Sequence, residues 1–350
     1  MSVSETASVS PSASIAGQRP DLADLKRKSA RGGVVTLAGQ GISIAIQLAS
    51  TVILARLLTP DSYGVIAMVM TITGFVGLFR DLGLSTAAIQ RKDITVEQRS
   101  NLFWLNVGMG TLLTLAVSAL APAVAWFYGK PELLLITVVQ STAFLIGGLG
   151  AQHDAMLTRD MAFTRKAAIS IAGSLLTLIV SVVMAWQGYS YWSLVAGSLS
   201  GAVLSTVLLF VFCPMKVVWF SRASGTMELM RFGAGVTANS VVFYLCRNVD
   251  NILIGRVWGP AELGMYSRAY SLLMLPINAI KGPLESVSFA SLCKLQDRPD
   301  EFRDYYRTLV RFTALISMPF SGGLLACSGP LIAIALGPQW HEVTSIFSVL

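Results

Sequence analysis

Charge is scarce in this sequence: Asp, Glu, Lys and Arg make up 13% of its 350 residues, where a soluble domain carries about a quarter. Histidine is scarcer still, with two copies, and the four cysteines, Cys213, Cys246, Cys293 and Cys327, are scattered without a CxxC spacing. That pattern argues against a metal centre. No Ser, Cys or paired acid stands in a setting that suggests covalent chemistry, and no cofactor motif is present, so the chain does not read as an enzyme. The run Gly147-Gly148-Leu149-Gly150 follows no strand and precedes no P-loop lysine, which leaves close helix packing as its reading. The first twenty residues lack aromatics and lack the basic-then-apolar order of a cleaved signal peptide, so 1–25 reads as a disordered cytoplasmic tail.

What is abundant is apolar length. Hydrophobic residues make up 54% of the chain, and its mean hydropathy is +0.64. A helix needs roughly 20 apolar residues to cross about 30 Å of hydrocarbon. Segments of that kind are expected near 33–55, 63–80, 102–126, 132–152, 167–186, 191–213, 232–255, 263–289 and 306–328. A tenth begins near Pro330 and is still apolar at Leu350. The expected fold is therefore an all-α polytopic membrane protein. Its division is a six-helix lobe over 26–213, a cytoplasmic linker over 214–231, and a second lobe over 232–350 that stops after about four helices and reads as truncated. The net charge of +7 would hint at nucleic acid in a soluble protein. Here it fits basic cytoplasmic loops. Lys26, Arg27, Lys28 and Arg31 precede the first span, and Arg91, Lys92, Arg165, Lys166, Arg222, Arg303 and Arg307 recur on the same side. The amino terminus is accordingly expected in the cytoplasm, with the loops at Pro60 and Pro260 on the opposite face.

Those two loops carry an internal repeat. Residues 52–64 (VILARLLTPDSYG) align without a gap on 252–264 (ILIGRVWGPAELG), matching Arg56 to Arg256, Pro60 to Pro260 and Gly64 to Gly264. A repeat offset of 200 residues suits duplicated bundles of membrane helices. In the first span Thr36, Gln40, Ser43, Gln47 and Ser50 recur every three or four residues, a single stripe on a helix. Small polar residues commonly serve helix packing. Arg247 is different: an arginine at mid-span costs roughly 2.5–3.5 kcal/mol on insertion scales. Asp250 lies one turn on and is expected to neutralise it in part. Arg268 sits about one turn into the eighth span, able to snorkel outward or to point in. Lys281 lies between Pro276 and Pro283, and Glu285 four residues after it, in a helix those prolines must distort. His153 and His341 fall at expected loop edges and receive no role.

Several stretches carry a family likeness: LARLLTPDSYGVIAM at 54–68, FRDLGLSTAAIQRKDIT at 79–95, FWLNVGMG at 103–110, LTRDMAFTRKA at 157–167, RNVDNILIGRVWGPAELGMYSRAYSLLMLP at 247–276 and LGPQW at 336–340. In these the chain resembles the Wzx-type polysaccharide-transport flippases, of the colanic-acid-exporter branch, within the MATE-like exporter superfamily. The resemblance implies a bacterial inner-membrane protein with two six-helix lobes around a central cavity. It also implies transfer of undecaprenyl-pyrophosphate-linked oligosaccharide to the periplasmic face, alongside a polysaccharide polymerase and co-polymerase. A cargo of that chemistry needs a wet, cationic, sugar-compatible cavity. The candidate substrate-binding residues are Arg247 for the phosphate, assisted by Arg268, with Asp250 orienting Arg247, Lys281 in its proline-broken helix, and Gln40 and Gln47 for sugar hydroxyls. A cation-coupled drug exporter of the same superfamily would favour an acidic, aromatic cavity. A membrane glycosyltransferase or polymerase would need acidic residues in sizeable loops, and the loops here are short. A scaffold without transport would leave Arg247 unexplained.

Overall fold

The computed structural model describes residues 22–80, 95–215, 217–219, 226–274 and 298–350, with the single positions 277 and 292. Among them there are helices, turns and extended connections but no strand. In chain order the helices are α1 (Leu22–Leu57), α2 (Pro60–Gly77), α3 (Val96–Tyr128), α4 (Glu132–Arg159), α5 (Phe163–Trp186), α6 (Trp192–Phe212) and α7 (Thr226–Val257). They continue with α8 over 260–274, α9 (Pro299–Ala326), α10 (Ser328–Ala335), a 3-10 turn (Pro338–Trp340) and α11 (Val343–Val349). Six are long and apolar enough to cross a membrane by length and composition: the Ala38–Leu57 part of α1, and α3, α4, α5, α6 and α9.

Local chemistry sets these boundaries. Pro60 disfavours helical geometry at the residue before it, and Thr59 is extended (φ −79°, ψ 157°), which ends α1 and leaves Pro60 at the first position of α2. Thr95 and Gln98 form a reciprocal capping box at the start of α3, with both bonds 3.2 Å. Gly129, left-handed at φ 66°, ends that helix. Exposed Leu112, Leu115, Ile179 and Val207 form a surface suited to lipid rather than water. Trp126, Trp186 and Trp258 are exposed at the helix ends nearest the Pro60 and Pro260 loops, as interfacial indoles are in membrane proteins.

The helix bounds differ from the sequence expectation at several points. Helix α1 begins at Leu22 and α7 at Thr226, inside the stretches read as tail and linker. The apolar run from Pro330 is not one span. Gly337, at φ 100°, and Pro338 interrupt it, so a short α10 turns back before α11 begins. His153 is no loop residue: it lies inside α4, 1% exposed, with its ring 4.1 Å from that of Phe210 and 5.8 Å from that of Phe103. The glycine run does serve helix packing, since Gly148 abuts the Asn106 carbonyl on α3 and Gly150 abuts Thr206 and Leu209 on α6.

The two motif loops meet. A side-chain carbon placed on Gly64 would fall within the carbonyl of Pro260, and one placed on Gly264 within the carbonyl of Pro60. Each Pro-x-x-x-Gly segment thus lends its glycine to the first turn of the other helix, and α2 and α8 cross there at backbone contact. A third segment locks this end. The Trp340 indole, fully buried, packs edge-on to Tyr63 at 5.5 Å and donates from Nε1 to the Ala55 carbonyl at 2.8 Å. Gln339 Nε2 donates to the carbonyls of Ala55 and Leu58, and Arg56 donates to the Ile334 carbonyl at 2.8 Å. Carbonyls at a helix C-terminus have no partner within the helix, so 339–340 cap α1 from a distance. Trp340→Ala should lower stability by about 3–5 kcal/mol, since it opens a cavity and frees a carbonyl together. Denaturant melts in detergent test this. A loss under about 1 kcal/mol would mean that the indole is not holding the α1 end.

Candidate functional site

Beneath that seal lies a cavity of about 530 Å³ between α1, α2, α5, α6, α7 and α8. From α1 it receives Gln47, Ser50 and Thr51, from α2 Tyr63 and Thr71, and from α5 Thr177. Helix α7 adds Asn248 and Asn251, and α8 adds Ser267 and Arg268. The stripe read on α1 explains its share: residues three and four apart point the same way, and here that way is inward. The lining is rich in amides and hydroxyls, and it holds no carboxylate among the described residues. Asn251 Nδ2 donates to Asn248 Oδ1 at 3.3 Å, Asn248 donates to the Tyr244 carbonyl at 3.0 Å, and Ser267 donates to the Gly264 carbonyl at 3.0 Å.

Arg268 is the cation of this cavity. Its guanidinium lies 4.3 Å from the centre of the Tyr63 ring, so the side chain points inward and does not snorkel. It makes no ion pair among the described residues, and its Nε is buried without a hydrogen-bond partner. A cation–π contact of this kind contributes about 0.5–2 kcal/mol, and the orphaned Nε leaves a donor directed into the cavity without a partner among the described residues.

The other sequence candidates separate. Arg247 is exposed, stacks over Phe243 at 4.6 Å, and is not paired with Asp250. Asp250 instead accepts a short hydrogen bond from the Tyr266 hydroxyl and one from the Asn251 amide at 2.9 Å. It is thus held by α8 rather than by the arginine one turn away. Gln40 lies lower on α1, in a second cavity of about 470 Å³ between α1 and α5. Lys281 lies outside the described residues. Asn248, Asn251, Ser267 and Tyr63 are the lining residues that sequence reading passed over. The repeat offset held a signal for two of them, because Thr51 and its counterpart Asn251, and Ala67 and its counterpart Ser267, all face the cavity.

These elements make a polytopic helical membrane protein with a polar cavity whose cation, among the described residues, is Arg268. The chain belongs to the polysaccharide biosynthesis protein family, whose model matches residues 53–345. It is 26% identical to the lipopolysaccharide biosynthesis protein WzxC of Escherichia coli (strain K12), over 93% of this chain and 67% of that one. It is 29% identical to the teichuronic acid biosynthesis protein TuaB of Bacillus subtilis (strain 168), over 87% and 64%. It is 22% identical to the succinoglycan biosynthesis transport protein ExoT of Rhizobium meliloti (strain 1021), over 88% and 62%. The chain thus spans about two thirds of the length of these relatives. Its fold is that of the lipid II flippase MurJ solved in an inward closed conformation, with a TM-score of 0.71 at 15% identity, over 90% of this chain and 70% of that one.

Proposed function

We propose that this protein is a flippase that moves undecaprenyl-pyrophosphate-linked oligosaccharide across the bacterial inner membrane by alternating access. The observation that carries this reading is Arg268, inward-facing and without an ion-pair partner among the described residues, in a cavity of amides and hydroxyls. A pyrophosphate offers the charge-assisted acceptors that a guanidinium binds best, and the Gln47, Asn248 and Asn251 amides suit sugar hydroxyls. In this reading the crossing at Gly64 and Gly264 closes the periplasmic end, and the amino terminus lies in the cytoplasm. Arg247 is a second cation that the head group meets on its way in, and a polymerase and co-polymerase receive the product. The named relatives in lipopolysaccharide, teichuronic acid and succinoglycan biosynthesis support this assignment. Drug-cation export fits less well, because among the described residues no carboxylate lines the cavity and the neighbouring Asp250 is engaged by Tyr266.

The test is reconstitution into vesicles holding an undecaprenyl-pyrophosphate-linked oligosaccharide, with a glycosidase outside to count the glycans on that leaflet. Protein-dependent exposure of the inner pool to the enzyme is expected. Export of a cationic dye with no movement of the lipid would overturn the assignment.

A further inference from the structure

The second cavity is placed and lined differently from the first. It lies between α1 and α5, toward the end opposite the Pro60–Pro260 seal, with Gln40 and Ser43 on one side and Phe163, Lys166 and Ser170 on the other. The two helices touch at one point within it, where a carbon added to Gly39 would lie 2.9 Å from the Ala167 side chain. Gln40 and Ser170 are exposed, and neither they nor Ser43 form a side-chain hydrogen bond among the described residues. Lys166 is already neutralised, donating to Asp154 Oδ2 at 2.8 Å and to Thr158 Oγ1 at 2.9 Å. The cavity therefore offers an amide, the hydroxyls of Thr36, Ser43 and Ser170, and the half-buried face of Phe163, with almost no net charge. Phosphate would gain little there. A pyranose gains hydrogen bonds to its hydroxyls and contact of its C–H face with the ring, in a volume of the size that small-ligand sites have.

Register connects this cavity to the first. On α1 the lining steps from Gln40 to Gln47, and on α5 from Ser170 to Thr177. Each step is seven residues along helices that run the same way, a rise of about 10 Å at 1.5 Å per residue. Both cavities thus lie on one stripe of α1 and one of α5, with Arg268 in the upper one. We infer that the α1–α5 cavity is a sugar subsite, which holds a sugar further along the glycan while Arg268 holds the pyrophosphate in the upper cavity, whose lining begins about 10 Å above. This rests on the flippase reading and adds to it a place where glycan identity is read.

Two lipids separate the subsite from the head-group site: undecaprenyl pyrophosphate alone, and the same lipid bearing a trisaccharide, long enough to span the roughly 10 Å between the cavities. Native mass spectrometry of the whole protein in detergent gives the affinity for each. The wild type should bind the trisaccharide lipid roughly tenfold more tightly, the worth of one or two hydrogen bonds. Gln40→Ala and Ser170→Ala should each erase most of that preference and leave the bare lipid unchanged. Both positions are exposed, so the substitutions should not unfold the protein. Arg268→Ala should weaken both lipids together. Equal wild-type affinity for the two lipids would overturn the subsite and leave the flippase reading standing. So would a loss of bare-lipid binding in Gln40→Ala, which would make the cavity a phosphate site. Failure of the wild type to bind either lipid would overturn both.

Discussion

Arg268→Ala should abolish glycolipid flipping, by roughly 100-fold or more, while the protein still inserts and melts no lower than the wild type. The magnitude follows from losing a charge-assisted contact to pyrophosphate in a low-dielectric cavity, about 3 kcal/mol. The unchanged melting point follows from geometry. The guanidinium has an orphaned Nε and no carboxylate among the described residues, so removing it relieves a burial cost in the empty protein. Arg268→Lys should retain part of the rate, because the charge survives while stacking on Tyr63 and the forked donor geometry do not. Transport in vesicles and thermal melts in detergent measure the two arms. A variant that unfolds, or one that transports at the wild-type rate, would remove Arg268 from the site.

The second large effect is expected at the helix crossing. Gly264→Val places a branched side chain where the Pro60 carbonyl already sits, so α2 and α8 must part. Overpacking of this kind costs about 1–3 kcal/mol, enough to shift a closed-to-open equilibrium 5- to 150-fold. A cysteine at Ser267, which lines the cavity, should then react with an impermeant thiol reagent supplied from the face of the motif loops. In the parent protein it should be shielded from that side. Gly64→Val should act alike, because the contact is reciprocal. Labelling unchanged by either substitution would mean that the crossing is not the seal.

Much of this was legible in the sequence, and the remainder has identifiable causes. Apolar length gave the class of fold, and the 200-residue offset gave the pairs Pro60/Pro260 and Gly64/Gly264. Their mutual contact was not legible, since an alignment says that two segments are alike and not that they touch. The α1 stripe was legible because its polar residues stand out against an apolar helix, and Gln47 and Ser50 line the first cavity while Gln40 and Ser43 line the second. On α7 nearly every third residue is polar, so periodicity could not choose a face. Attention went to the charges at Arg247 and Asp250, while the cavity took Asn248 and Asn251. Arg268 could not be oriented from its own segment, because the group that receives it, Tyr63, is 205 positions earlier in the numbering. Pro330 looked like the start of a span because hydropathy does not register the Gly337–Pro338 turn.

The cap that Gln339 and Trp340 place on α1 also sets a clock for biosynthesis. The carbonyls of Ala55 and Leu58 leave the ribosome 281 to 285 residues before the side chains that bind them. At about 5–20 residues per second that interval is roughly 15 to 60 s. Through it the first hairpin sits in the bilayer with water on its exposed helix end, and its outer loop is free to breathe. The arrival of residues 339–340 ends that provisional stage and gives the α1 end its side-chain partners only late in synthesis.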